Sequence, residues 1–415
     1  MKKRKNHFKI RYVVVGVLGI MAVAIFVFTH FGGFSTGDIA NVDEFAEYAQ
    51  SVQEISIPND RKVIALGEAT HGNVEFQQLK LDVFKKLVEQ YDVRAFALEG
   101  DFGGCEQVNQ YIHGGEGTAK EAVAKIGFKI YQTNEMIDLI SYMREYNAQT
   151  TEGEDLRFYG FDMQRILYSF QSLKKECEIL GVDTTKLNEL VDGDTLNATL
   201  DFDSQSKILS QLKNDLEKKQ ADEYAIHYAD MLLQYCELKT MTESAGADLR
   251  DKFMASNVEW ILEQEEQRGH ERIFVAAHNM HVAKWGSYDS MGKVLSKNPE
   301  NGYYAIGTDF YKTRCNLPTR SVSKRTIQTF YSHDPLAKAA KLAGFDICWL
   351  DFSKVPNDTE LSEYATDYNY MGKLGESYSI IMRLLPPSYR MFQPPAVLYD
   401  SMIFVSDASP IKIVN

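Results

Sequence analysis

Two glutamates and a histidine lie within eight residues of one another in the stretch GEATHGNVEF, Gly67–Phe76. These residues, Glu68, His71 and Glu75, directly follow the apolar run KVIAL. Histidine can accept a proton near neutral pH, and a neighbouring carboxylate orients the ring and raises its basicity. The glycines on either side of the histidine allow a tight turn. The stretch therefore predicts an acid–base site at a strand-to-helix junction.

Further titratable or polar side chains follow four other apolar runs of the chain: Glu99 and Asp101 after RAFAL, Asp162 after LRFYGF, His278, Asn279 and His281 after RIFVAA, and Asp309 after YYAIG. Ligands of open parallel sheets bind beyond the carboxyl ends of the strands. If these runs are parallel strands, their polar side chains meet at one edge. We therefore expect an active site there.

Each candidate also has a structural explanation that the sequence leaves open. Glu75 would lie in the first turn of a helix, where an acid is favoured by the helix dipole. Glu68 and Asn279 could cap backbone groups. Buried carboxylates such as Glu99 need partners, and Arg144 in MIDLISYMREYN is the predicted ion-pair partner, unless it lies on the surface beside Glu145.

Two mechanisms fit this set of side chains. In the first, His71 is a general base that activates water against an ester, and the other histidines stabilise the oxyanion. In the second, His71, Glu68, Glu99 and His278 bind a divalent metal that generates the hydroxide. The chain contains no HExxH motif, no GxSxG elbow and no Walker-type phosphate loop.

The elements that would position these residues alternate between strand and helix. Seven short apolar runs have the continuous pattern of strands covered on both faces: KVIAL, RAFAL, LRFYGF, RIFVAA, YYAIG, DICWLD and SMIFV. VEFQQLKLDVFKKLVEQY between the first two has a helical apolar stripe. We expect an α/β fold, with a mostly parallel central sheet flanked by helices on both faces. Residues 169–258 have helical patterns and no strand-like runs. This predicts a helical insertion, either a lid or an extra helical layer.

The N-terminus has the pattern of a membrane segment. Residues 1–11 include six Lys or Arg and no acid, and residues 12–28 form an unbroken apolar run of 17. This predicts a cytoplasmic basic tail and, over 12–31, an uncleaved transmembrane anchor or a signal segment. The protein would then be single-pass in the cell membrane with an extracytoplasmic catalytic domain, or secreted if the segment is cleaved.

Charge and cysteine content limit the possible partners. The formal net charge is -13, so nucleic acid is not an expected partner. An acidic surface is compatible with a monomer. The five cysteines form no CxxC pair and predict neither a disulfide framework nor a zinc site.

Several blocks of the chain, taken together and in order, resemble the erythromycin esterase family, which includes proteins called succinoglycan biosynthesis proteins: GEATHGNVEF, FALEGDF, MREYN, FYGFDMQ, AAHNMHVAKW, and MGKVL with YYAIGTDF. The resemblance runs from about residue 42 to the C-terminus. It implies an α/β core with a helical cover over a deep cleft. It also implies hydrolysis of a macrolide lactone, which confers antibiotic resistance, or of another small-molecule ester.

The resemblance also implies roles for individual residues. His71 would be the general base that activates water, with no obligatory metal or other cofactor. The other acids and histidines of the matching blocks would fall on Glu68, Glu75, Glu99, His278 and His281. We expect Asp162, Arg144, Asn279 and Asp101 to support the site or bind substrate. The alternative function is an envelope protein that modifies or binds a polysaccharide or lipid, which would not need a histidine between two carboxylates.

Overall fold

The computed structural model describes residues 12–24, 38–151, 153–192, 195–197, 199–319, 324–379, 382 and 388–414. The predicted basic tail, 1–11, lies outside these residues. Of the predicted membrane segment, residues 12–24 form a helix (α1) and residues 25–31 lie outside the description.

Among the described residues, no helix is long and apolar enough to cross a membrane. This finding contradicts the predicted N-terminal membrane segment. It equally contradicts the predicted contact with the membrane through residues 12–28. The prediction of a single-pass membrane location, with the catalytic domain outside the cytoplasm, is withdrawn with it.

The central sheet confirms the mixed α/β fold with mostly parallel strands. Within the described ranges it has eight strands, in the order β3-β2-β6-β1-β7-β12-β9, with β8 paired to β7. Only the β9 and β8 pairings are antiparallel among these strands. The strands, with two separate hairpins (β4–β5 and β10–β11), are β1 Val63–Glu68, β2 Ala95–Asp101, β3 Arg157–Asp162, β4 Val191–Asp192, β5 Thr195–Leu196, β6 Ile273–His278, β7 Tyr304–Pro318, β8 Arg325–Tyr331, β9 Ile347–Asp351, β10 Asn369–Gly372, β11 Arg390–Gln393 and β12 Ser401–Ala408.

Helices cover both faces of this sheet. Alternate residues of β1 face two different cores, with Val63 and Ala65 in one and Ile64 and Leu66 in the other. The helices after α1 are α2 Val42–Tyr48, α3 Val74–Tyr91, α4 Phe102–Ile112, α5 Ala119–Lys125, α6 Asn134–Asn147, α7 Leu167–Leu180, α8 Thr185–Glu189, α9 Phe202–Lys218, α10 Glu223–Thr240, α11 Glu243–Gln267, α12 Asn279–Val282, α13 Met291–Leu295, α14 Pro335–Leu342, α15 Glu360–Thr366 and α16 Pro395–Leu398. Helices α3, α4, α5 and α6 contribute to the core that contains Ile64 and Leu66. Helices α10, α11 and α14 contribute to the core that contains Val63 and Ala65.

The chain between β3 and β6 is mainly helical. It contains α7 to α11 and the short β4–β5 hairpin. The long helix α11 packs against β3, β2 and β6, so it can reach the edge where those strands end. The boundaries of a hydrolase domain at 42–415 and of an insertion near 169–258, and movement of the insertion as a lid, stay predictions.

Two buried carboxyl groups make the stability of the fold depend on pH. Asp309 in β7 accepts hydrogen bonds from the backbone of Gly372 at 2.9 Å and of Phe310 at 2.7 Å. Asp334 caps α14 by accepting from Leu336 at 2.8 Å. Burial raises the pKa of Asp334 to about 6, and burial together with the charge of Asp334 raises that of Asp309 well above its usual value.

We expect Asp334→Asn to remove much of this pH dependence. For an acid whose pKa is raised on folding, the stabilisation present below the unfolded pKa is lost as the pH rises through the folded value. Asparagine keeps the helix cap and cannot ionise. Thermal unfolding at pH 5 and pH 8 should therefore show a smaller loss of Tm in the variant than in the wild type. Asp201→Asn, at an exposed helix cap, is the control, and equal losses in all three proteins would contradict the prediction.

Candidate active site

The predicted site residues converge where four parallel strands end. Glu68 is the last residue of β1 and His278 the last of β6, and the two are directly paired in register. Glu99 lies near the end of β2, and Asp162 ends β3. Because β3, β2, β6 and β1 are consecutive neighbours in the sheet, the four side chains share one edge.

His71 and Glu68 form the first contact of this cluster. The Nδ1 atom of His71 contacts Oε1 of Glu68, and Nζ of Lys80 donates to the other carboxylate oxygen of Glu68. Lys80 also donates to Oε1 of Gln77 at 3.0 Å. All four side chains are buried, so the lysine and the histidine supply the partners that a buried carboxylate requires.

These contacts determine the charges of the pair. Burial alone would raise the pKa of Glu68, but the positive charges of Lys80 and then His71 lower it to about 2. Burial would lower the pKa of His71, but the charge of Glu68 and its hydrogen bond raise it above the usual value. The pair thus combines a permanently ionised carboxylate with an imidazole of increased basicity.

His278 lies beside His71, with 5.0 Å between the ring centroids. Its Nδ1 accepts a hydrogen bond from the backbone N–H of Met280 at 3.3 Å, so its Nε2 carries the proton and donates to the carbonyl of Leu374 at 3.0 Å. Burial, with the positive charge of His71, lowers the pKa of His278 to about 3. His278 is therefore a neutral imidazole with both nitrogens bonded to the backbone.

His281, one turn further along, belongs to a network of charged residues. Its Nε2 lies 3.3 Å from Glu99 and its Nδ1 lies 2.8 Å from Asp251. Arg250 donates to both oxygens of Asp162, at 3.1 and 2.7 Å, and to Glu99 at 2.9 Å. Glu99 also accepts from the backbone N–H of His278 at 2.9 Å. The network links the ends of β2, β3 and β6 to helix α11.

The close approach of α12 to β1 depends on Gly67. A Cβ atom at this position would lie 2.2 Å from Oδ1 of Asn279. Without it, Asn279 exchanges two hydrogen bonds with the backbone of Thr308, at 2.6 and 3.1 Å. Asn279 therefore supports the site by attaching the histidine-bearing turn to β7.

Two of the predicted site residues, Glu75 and Asp101, have other contacts. Glu75, in the first turn of α3, accepts from the backbone N–H of Ser409 at 2.7 Å. Asp101 caps α4 by accepting from Gly104 at 2.7 Å, and burial raises its pKa to about 8. Asp101 is a register partner of Asp162, so it borders the cluster. Glu75 instead binds the backbone of the C-terminal segment.

Arg144 lies at the opposite end of β3 from the cluster. It lines a cavity of about 480 Å³ together with Arg157, the first residue of β3, whereas Asp162 is the last. Its guanidinium donates to the carbonyl of Gly115 at 2.9 Å and stacks over the ring of Tyr111 at 4.2 Å. The arginine that pairs with the site carboxylates is Arg250.

Sequence reasoning missed three charged residues of the cluster, Lys80, Arg250 and Asp251. Lys80 had a detectable signal, because it occupies the buried apolar face of α3, four residues after Phe76 and four before Phe84. Asp251 likewise belongs to the buried face of α11. For Arg250 we find no comparable signal, since its partner Asp162 is 88 residues away along the chain.

The cluster does not have the geometry of a metal centre. Within the described part of the chain, no three His, Cys, Asp or Glu side chains are arranged to hold a metal ion. Of the alternative ligands, Glu68 is occupied by Lys80, and His278 uses both ring nitrogens for backbone hydrogen bonds. The residues present therefore do not fit the metal-bound alternative, and we derive no step through a metal.

The fold and this cluster define a mixed α/β protein whose sheet edge carries the residues for general acid–base chemistry. The Erythromycin esterase family model matches residues 88–408, and the chain belongs to that family. The matched region includes Glu99, Asp162, Arg250 and the histidines of α12 and its cap, but begins after Glu68 and His71. The assignment of those two residues therefore depends on the geometry.

Relatives and solved structures agree with this membership. The chain is 25% identical over 357 residues to an erythromycin esterase type II of Escherichia coli, covering 73% of this chain and 84% of that protein. A crystal structure of a succinoglycan biosynthesis protein has a similar fold, with a TM-score of 0.74, 19% identity and coverage of 90% of this chain and 98% of the other. A mutant erythromycin esterase in its open conformation has a TM-score of 0.61 at 16% identity, covering 89% and 99%. The family and the Escherichia coli relative support a hydrolase, and the two solved structures show the same fold.

Proposed function

We propose that this protein hydrolyses a small-molecule carboxylic ester or lactone with water that His71 activates. The observation that carries the proposal is the buried chain of contacts from Lys80 to Glu68 to His71 at the end of β1. A similarity to an enzyme named for erythromycin hydrolysis makes a macrolide lactone one candidate substrate. Antibiotic resistance would be the consequence if that substrate is the natural one.

In the proposed reaction Glu68 fixes the tautomer of His71. Nδ1–H donates to the carboxylate, which leaves the Nε2 lone pair to take a proton from water while the water oxygen attacks the ester carbonyl carbon. The imidazolium that forms is stabilised by Glu68. It then returns the proton to the alcohol oxygen as the carbon–oxygen bond breaks. The products are a carboxylic acid and an alcohol.

The two other histidines differ in what they can contribute to this reaction. His278 is held neutral by its two backbone hydrogen bonds, and it packs against His71. His281 lies between two carboxylates, which raise its pKa to about 10 against the effect of burial. We therefore assign the stabilisation of the oxyanion to the charge of His281 rather than to His278.

The proposal is tested by assaying a panel of esters, including a 14-membered macrolide, in water enriched in oxygen-18. Hydrolysis should place one heavy oxygen in the acid product and none in the alcohol, because water attacks the carbonyl carbon. Addition of a chelator should not change the rate, because the proposed base is a side chain. Failure to hydrolyse any ester would contradict the proposal, and activity that requires added metal would contradict the role of His71.

We expect Lys80→Met to move the acid limb of the kcat/KM profile to higher pH. The charge of Lys80 opposes protonation of His71, so its removal raises the pKa of His71 further. A general base works in its unprotonated form, which then exists only at higher pH. Lys80→Arg keeps the charge and should leave the limb close to that of the wild type. An equal shift of the acid limb in both variants would show that the charge of Lys80 does not cause the shift.

A further inference from the structure

Asp251 is a buried carboxylate that touches His281 from the helical side of the site. Its Oδ1 lies 2.8 Å from Nδ1 of the histidine and accepts a second hydrogen bond, also 2.8 Å, from the backbone N–H of Met291. It immediately follows Arg250 on α11. Two consecutive residues of this helix thus carry opposite charges into the same cluster, and the mechanism above uses neither directly.

The second nitrogen of His281 faces another carboxylate. Nε2 lies 3.3 Å from Oε1 of Glu99 and also 3.3 Å from Nη1 of Arg250. Side-chain exposures are 16% for His281, 9% for Glu99 and 2% for Asp251, so water competes little for either ring nitrogen. The two carboxylates favour the doubly protonated ring, which can donate to both of them at once, whereas Arg250 opposes it because a guanidinium can only donate.

We propose that Asp251 is a positioning residue that accepts the Nδ1–H of His281 and holds the ring in place and protonated, so that the positive charge of His281 stabilises the reacting oxygen of the ester. This inference rests on the proposed ester hydrolysis. It divides the histidines into three roles. His71 changes protonation during the reaction, His278 stays neutral, and His281 stays charged.

The charges that face His281 support this assignment. Carboxylates contact its ring from Glu99 on β2 and from Asp251 on α11. The opposing cation is Arg250 on the same helix, which pairs with Glu99 and with Asp162 on β3. The cluster therefore has three buried carboxylates and one arginine, and protonation of His281 reduces the imbalance. Burial would lower the pKa of His281, but Glu99 and then Asp251 raise it to about 10.

Other titratable groups near the ring belong to neighbouring elements. Tyr288, in the loop after α12, donates its hydroxyl to the carbonyl of Met280 at 2.9 Å. The pKa of Tyr288 is raised by burial and by the charges of Asp251 and Glu99, so it stays neutral. The ring of His278 lies 6.4 Å from that of His281, and its low pKa keeps it uncharged.

A cation held in this way would help the reaction because it is already oriented. Negative charge develops on the carbonyl oxygen only in the transition state, and a fixed positive charge stabilises it without rearrangement of the site. Both partners of the ring come from rigid elements, Glu99 from a strand and Asp251 from a helix. Asp251 also holds the start of α13 through Met291, which fixes the segment between α12 and α13.

The experiment compares the whole chain with its Asp251→Asn variant, with the histidine rings labelled with nitrogen-15. In the wild type, both ring nitrogens of His281, identified from a His281→Gln variant, should stay protonated above pH 8. In Asp251→Asn, His281 should titrate about 1–3 pH units lower, as expected when an opposite charge in contact is removed. Glu263→Gln, which removes an exposed acid from the same helix, should leave the titration unchanged.

Kinetics on the same proteins test the link to catalysis. With Asp251→Asn, kcat should fall about 10- to 100-fold with little change in KM, since the lost interaction belongs to the transition state. The remaining activity should decline as the pH rises through the lowered pKa of His281, because the cation is then lost. Asp251→Glu, which keeps the charge, should recover part of kcat.

The outcomes separate this inference from the function on which it rests. If His281 titrates identically in the wild type and Asp251→Asn, the role of Asp251 is wrong, even where ester hydrolysis is established. An unchanged kcat in Asp251→Asn would overturn it equally. If the nitrogen-15 titration behaves as expected but no ester is hydrolysed by the wild type, the proposed function fails while the charge of His281 is still set by Asp251.

Discussion

Replacing His71 with glutamine is expected to lower kcat about 10²–10⁴-fold, the usual contribution of a general base. Glutamine is close to histidine in size and can still donate to Glu68, but it cannot take a proton from water. KM should change much less than kcat, because the lost function belongs to the transition state. Steady-state kinetics on the best ester of the panel measure both constants.

The pH dependence of kcat/KM provides a second test of His71 as the general base. The pKa of His71 is raised by Glu68, and the base is active only when it is unprotonated. We therefore expect kcat/KM to rise with pH through a value above the usual range for histidine, and we expect this limb to be absent from the residual activity of His71→Gln. A rate that falls over the same range would assign His71 the role of an acid.

His113→Gln is a matched control for this substitution. His113 also pairs with a carboxylate, with Nε2 2.9 Å from Asp155, but it lines the cavity at the other end of β3. It should retain the rate of the wild type. A similar loss of kcat in both variants would indicate general damage to the fold and would remove the support for His71 as the base.

The sequence could predict the strand-end residues of this site because parallel topology restricts where they lie. Glu68, Glu99, Asp162 and His278 each end or nearly end an apolar run, and such runs become neighbouring strands with their carboxyl ends at one edge. The order of the strands was not predictable in the same way. That β6 inserts between β1 and β2 is a result of long-range packing.

The supporting charges were harder to predict because they come from helices. A helix presents a different face every residue, so the partner of a strand-end acid is decided by helix orientation. Arg144 was the expected partner of these acids, but on helix α6 it donates to the backbone carbonyls of Tyr111 and Gly115. Arg250 reaches the cluster from α11, whose contact with β3 and β2 no local pattern indicates.

Two further features show what local rules can and cannot decide. Glu75, the acid of the first helical turn, accepts a hydrogen bond from the backbone amide of Ser409, which agrees with the structural explanation of such an acid, and its role in the site stays a prediction. The apolar run at 12–28 has the hydropathy of a membrane segment, but among the described residues no helix is long and apolar enough to cross a membrane. Hydropathy counts residues, whereas a membrane span requires a continuous helix of sufficient length.

Arg250→Met is expected to reduce the free energy of unfolding by about 3–5 kcal/mol, as is usual when one partner of a buried ion pair is removed. The substitution leaves the carboxylates of Glu99 and Asp162 without their shared guanidinium. Burial would raise the pKa of Glu99, but His281 and then Arg250 hold it well below its usual value. Urea unfolding at pH 7 measures the loss.

Arg268 allows the structural and catalytic consequences to be separated. It also binds two carboxylates, Glu265 at 2.7 Å and Asp155 at 3.1 Å, and its side chain is 15% exposed, against 16% for Arg250. It adjoins the C-terminal end of the same helix, at the far end of the sheet. Arg268→Met should therefore lose a similar amount of stability while it keeps kcat.

Arg250→Met should lose kcat as well, by about 10²-fold or more, because Glu99 also holds His278 and His281 in place and small displacements of reacting groups are costly. Both variants are assayed at a temperature where unfolding curves show them fully folded. Equal kcat in the two variants would mean that Arg250 only stabilises the fold. A loss confined to Arg250→Met would mean that the bridge from α11 to the strand ends positions the catalytic histidines, so that the helical layer belongs to the active site.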